Sequence, residues 1–125
     1  MADGWHWPRP QRIVGEIIGD LVPVSGRRSL DAEYPLAVLR KSGYHRDNIN
    51  EISLVSVSLF SDDLDEAEAL SDQIFSMLID GRSVSTSEGI MDRARCEVSP
   101  EEIPVEGQEV YCVEGTYRIV TRRED

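Results

Sequence analysis

A chain of 125 residues fits one domain, and at that size it buries roughly two thirds of its unfolded surface, enough for an independent core. Thirteen basic residues against 24 acidic ones give a formal net charge of −11, which repels a phosphate backbone and excludes sequence-independent nucleic-acid binding. No stretch reaches the ~20 apolar residues of a bilayer span and the N-terminus lacks a secretory signal, so a cytosolic chain with no membrane partner is expected.

Residues 1–10 hold both tryptophans, Trp5 and Trp7, between Gly4 and the prolines Pro8 and Pro10. Two prolines favour an extended path, so this segment reads as an N-terminal arm ahead of a single domain over 11–125. Large aromatics on such an arm either pack on their own domain or anchor a neighbour. From 11 to 22, Ile13, Val14, Ile17, Ile18 and Leu21 fall on one face of an amphipathic helix that Pro23 stops. Gly15 and Gly19 within it allow close packing on a sheet.

A polar loop over 24–33 leads to a first strand over 34–40, ended by Ser42 and Gly43. Over 52–60, Val55, Val57 and Leu59 alternate with Ser56 and Ser58, the period-two pattern of a strand with one buried face. Ser61, Asp62 and Asp63 then offer helix-capping oxygens, and Asp65 and Glu66 place negative charge where the helix dipole favours it. Leu64, Ala67, Ser71, Ile74, Phe75 and Leu78 line one face of this second helix, which Asp80 and Gly81 end.

The segment 82–89, containing Arg82, Ser83, Val84, Ser85, Thr86 and Ser87, has no periodicity and reads as an exposed, mobile loop. A third strand is expected over 91–98, a break over 99–108 at Pro100, Pro104 and Gly107, and a fourth strand over 109–121. The tail from Arg122 and Arg123 is charged and frayed. The expected fold is therefore α+β: an antiparallel sheet of about four strands with two amphipathic helices on one face, in the order α-β-β-α-β-β.

Chemistry is sparse. His6 and His45 have no nucleophile context, and no phosphate-cradling glycine loop occurs. Cys96 and Cys112 lack metal-ligand spacing and read as buried small hydrophobes facing each other across a hairpin. The carboxylates Asp62, Asp63, Asp65, Glu66 and Glu68 lack the order of a calcium loop, and helix capping accounts for them. No catalytic residue, metal or cofactor is expected, and the protein is not read as an enzyme. Twelve of the thirteen basic residues are arginine, which suits either a GC-rich genome or forked ion pairs at contacts.

The amphipathic first helix, the strand 52–60 running straight into the Asp62-Asp63-x-Asp65-x-Ala67-x-x-Leu70 helix, and the closing Tyr117-Arg118-Ile119-Val120-Thr121-Arg122 strand together resemble the tail-terminator and tail-completion family of long-tailed phages. The resemblance implies a virion protein, made in the host cytoplasm, that forms a six-membered ring at the head–tail junction. Such a ring caps the tail tube, stops its polymerisation and joins it to a neck or connector protein, while genome DNA passes without specific binding. Trp5, Trp7, Arg82, Ser83, Val84, Ser85, Thr86, Ser87, Arg122 and Arg123 are the candidate contacts to subunits, tube or neck. A different neck component, or a small acidic binding or regulatory module, is the alternative.

Overall fold

The structure, a computed structural model, describes residues 9–29, 31–46, 50–80, 82–106 and 109–122. Sheet dominates it. Six strands, β1 (Val24–Ser25), β2 (Leu36–Arg46), β3 (Asn50–Ser61), β4 (Val84–Ser85), β5 (Ile90–Ile103) and β6 (Tyr111–Arg122), form one sheet in the order β1-β2-β3-β6-β5-β4. Its long strands are antiparallel, β1 runs parallel to β2, and the sheet curls into a half-barrel. The expected four-stranded antiparallel α+β layer in the order α-β-β-α-β-β is thereby corrected. Two-residue strands such as β1 and β4 carry no period-two signal, so neither the mixed pairing nor the strand count is visible in the residue pattern.

Helix α1 (Pro10–Ile18) opens with proline at its first position, where no N–H is needed. It ends at Gly19, short of the expected 22; Leu21 and Val22 then donate to the Ile18 carbonyl in a closing turn that buries Val22. Helix α2 (Leu64–Leu78) is capped by Asp63, whose side chain accepts from the Asp65 and Glu66 N–H groups. Ser61 Oγ donates to the Glu66 carboxylate at 2.7 Å and accepts from the Asp63 N–H, closing the cap from the end of β3.

Both helices cover the same face of the sheet. β3 buries its odd-numbered residues, and Val55, Val57 and Leu59 form the core with Ile13, Val14 and Ile18 of α1 and Ile74 and Leu78 of α2. β6 follows in register, with Tyr117 opposite Val55 and Ile119 opposite Ser53, both buried. The Tyr117 ring meets Phe75 of α2 at 6.3 Å and 58°, a tilted aromatic contact.

Two differences from the sequence expectation share one cause, the tolerance for irregular backbone of a strand whose outer edge is largely unpaired. β2 runs on through Ser42 and Gly43 to Arg46 by a register shift between Lys41 and Tyr44, where Gly43 has φ +128°, a value that disfavours any side chain. β5 runs on through Pro100 to Ile103 with three register shifts, because beyond Met91 no described strand pairs with its outer edge and the missing proline N–H costs no ladder bond. Pro100 crosses directly over Gly115 of β6, where a Cβ would stand 2.9 Å from the proline ring. Arg122 lies inside β6 opposite Asn50 and pairs with Asp92 at 2.9 Å, so the frayed tail does not begin there. Cys96 and Cys112 are not cross-strand partners either: Cys96 stands opposite Tyr117 and Cys112 opposite Ile103. The Gly81 stop and the tail from Arg123 lie outside the described residues.

A charge at Ile74, 1% exposed in the centre of this core, has no partner to neutralise it. Ile74→Asp is expected to cost more than about 4 kcal/mol and abolish the cooperative urea transition followed by circular dichroism.

Candidate assembly surface

The residues singled out in 82–89 form a hairpin, not a free loop. Val84 and Ser85 pair with Met91 and Ile90 as the edge strand β4. At the turn, Thr86 Oγ1 donates to the Gly89 carbonyl and accepts from the Glu88 and Gly89 N–H groups. Glu16 of α1 then holds the turn from outside: its carboxylate accepts the Ser87 N–H at 2.8 Å and the Ser87 hydroxyl at 2.7 Å. The Arg9 N–H donates to Glu88 at 3.2 Å. Arg82 stays exposed, its N–H and guanidinium bound to Asp80. The mobile-loop expectation fails because the polar residues that break periodicity find their partners in the turn itself and on α1.

This hairpin stands at one end of the sheet, where Ser85, Ile90, Arg122 and Asn50 lie across four neighbouring strands. The structure therefore brings Arg82, Ser83, Val84, Ser85, Thr86, Ser87 and Arg122 to a common edge, with Arg9 at the start of α1 beside them. Trp5, Trp7 and Arg123 lie outside the described residues.

The outward stripe of α2 carries Asp65, Glu66, Glu68 and Asp72, all exposed, and the helix contains no basic residue. No group of three or more His, Cys, Asp or Glu side chains among the described residues is placed to hold a metal ion. His45 is exposed on the strand opposite Ile52. Burial pushes the Cys112 thiol up to about 11, with Glu114 adding to the shift, so the thiol is protonated at neutral pH and a poor nucleophile.

Where β2 ends and β3 begins, the two strands are pinned by a buried charge. Glu51, 0% exposed, accepts from Arg46 Nε at 2.9 Å, from Ser53 Oγ at 3.0 Å and from Lys41 at 3.4 Å. Both cations flank the ring of Tyr44, at 4.3 Å for Lys41 and 5.0 Å for Arg46, so an aromatic 59% exposed stands on a fixed base.

Sequence reasoning missed the sheet face that carries no helix. The register places Arg93, Val120, Ile52 and His45 in one row across β5, β6, β3 and β2, and Arg95, Arg118 and Leu54 in the next. Val98, Thr116, Ser56 and Arg40 follow in a third. The Arg93-x-Arg95 spacing, and the even spacing of Arg118 and Arg122, are signals that point to it, since residues an even number apart on a strand share a face.

No protein-family model matches this chain, and no curated protein matches it. Among solved structures its fold is similar to that of a chain in the virion of a native gene transfer agent particle, with a TM-score of 0.55 and 11% identity over 88% of this chain and 84% of that one. At that identity the likeness is one of fold.

The bond donated by the Ser87 N–H, and then that from its hydroxyl, hold the Glu16 carboxyl below the ordinary carboxylate range. A depressed pKa in the folded state means the tie contributes fully above the unfolded value and is lost as pH falls through the folded one. The protection factor of the Ser87 amide, its exchange rate taken relative to the intrinsic rate at the same pH, is therefore expected to fall below the ordinary carboxylate range, and Glu16→Gln to lower it at neutral pH, with protection of the β3 amides unchanged in both cases.

Proposed function

We propose that this chain is a structural virion protein, a tail terminator that assembles as a ring of six at the head-proximal end of a tail tube, stops tube growth and joins the tube to the neck. The observation that carries the reading is the fold shared, over most of both chains, with a component of a gene transfer agent virion. The family resemblance in the first helix, the strand running into the capped helix and the closing strand supports the narrower role.

Physical features fit such a part. The described surface is built of a sheet with short edge strands and the partly exposed turn after β4, which favours docking between rigid copies over engulfing a small molecule. The hairpin at 82–89 and the Glu51-pinned ends of β2 and β3 are anchored to the core, so contacts made there cost little ordering. With −11 per copy, a ring concentrates negative charge around its bore, through which DNA slides without adhering. In this role the chain performs no catalysis; its partners are its own copies, the tube protein and the neck protein.

Added to growing tail tubes of its own particle, the purified chain is expected to cap one end and arrest elongation, seen by electron microscopy as a ring with the mass of six 14.1 kDa chains. Tubes that lengthen unchanged, with no density at either end, reject the reading.

A further inference from the structure

Resting on the ring reading, we infer that neighbouring copies join through a contact in which the helix-free sheet face of one receives the acidic outer stripe of α2 from the next.

Charge distribution on the two faces carries the argument. Five of the thirteen basic residues, Arg40, Arg93, Arg95, Arg118 and Arg122, lie on the helix-free face in an otherwise acidic protein. Arg118 and Arg122 are paired with Glu97 and Asp92, whereas no described ion pair involves Arg40, Arg93 or Arg95. Arg95 and Arg118 are direct cross-strand partners, and like charges placed opposite one another destabilise a sheet unless something neutralises them. On the other side of the molecule, Asp65, Glu68 and Asp72 of α2 are exposed and take part in no described ion pair. The arginines without a described partner thus lie on one surface and carboxylates without one on the other.

The contact surface is also of the right texture. Between the arginines stand Ile52, 36% exposed, Val98, 51% exposed, and the half-buried Leu54 and Val120. Ile52, Leu54, His45 and Arg118 line a shallow depression of about 330 Å³. Apolar side chains interleaved with arginine, and free of lysine, are characteristic of a protein interface, and the guanidinium fork binds carboxylates in pairs. The acids of α2 sit in its first nine residues, and Arg93, Arg95, Arg118 and Arg122 occupy the end of the sheet face away from Glu101 and Glu114, which stand opposite each other. Acidic end therefore meets basic end in one orientation.

Two different surfaces on opposite sides of a two-layer molecule make a head-to-tail contact, and such contacts close into rings when the rotation closes.

The test is a charge exchange read by sedimentation velocity and mass photometry. The variant Arg93→Glu/Arg95→Glu and the variant Glu68→Lys/Asp72→Lys, each first checked for native circular dichroism, are each expected to weaken self-association at least about tenfold. Mixed together, or combined in one chain, they restore it, because an alternating ring of even number satisfies every contact. Wild-type association should weaken as salt rises. The inference is overturned by single-face variants that assemble like wild type, by mixing that restores nothing, or by a wild-type chain that stays monomeric. Salt-sensitive binding of duplex DNA by a monomer, lost on Arg93→Glu/Arg95→Glu, would also overturn it, in favour of a nucleic-acid surface. Rings that cap tubes but ignore these substitutions sink this interface and leave the terminator role standing; charge-dependent rings that never cap a tube do the reverse.

Discussion

The one-sided burial of β3 fixes almost everything else on the molecule. Val55, Val57 and Leu59 lie beneath both helices, and because side chains alternate across a strand, Ile52, Leu54 and Ser56 are forced to the opposite face. A slip of one residue would bury serines and expose the core, so register is set by the strength of the hydrophobic effect across many side chains. β6 copies this register along twelve paired residues, and β5 copies it from β6 through three shifts. The placement of Arg95 beside Arg118 is thus a consequence of where Tyr117 and Ile119 are buried.

Irregular backbone then shapes the sheet. Each shift in β2 and β5 adds residues to one strand and strengthens local twist, which bends long strands away from a plane. Pro100 packed on Gly115 does the same at close range, since only a glycine leaves room for the ring. The cost of bending falls at the edges, where backbone groups can turn to water. The Glu51 cluster offsets it where β2 ends and β3 begins: a buried carboxylate with three donors resists both withdrawal into the core and exposure to solvent, because either movement leaves charge unpaired.

What was legible in the sequence divides along the same line. The strand over 52–60 and the helix after Asp63 are written in strong, unbroken periodicity because each packs one face against a continuous core. Elements without that constraint left no trace: β1 and β4 are two residues long, and β5 passes through a proline that reads as a stop when the neighbouring strand is unknown. The hairpin at 82–89 resembled a loop for a related reason. Its ordering depends on Glu16, 71 residues from Ser87 in sequence, and no local pattern reports a partner so distant. Candidate contacts at Arg82 to Ser87 and Arg122 were found as exposed residues, yet their meeting at one end of the sheet required the register of four strands.

Arginine usage gains meaning only in three dimensions. A composition with twelve arginines and one lysine is explained as well by genome bias as by function, and the net charge of −11 suggests a molecule that repels its own copies. Long-range repulsion and local attraction are compatible, however, because exposed charges are screened beyond roughly 8 Å at physiological salt. Two copies approaching at random repel weakly, whereas a copy that presents α2 to the sheet face brings opposite charges inside that distance. In the proposed contact, the same imbalance that keeps chains apart in other orientations favours the one that brings opposite charges together.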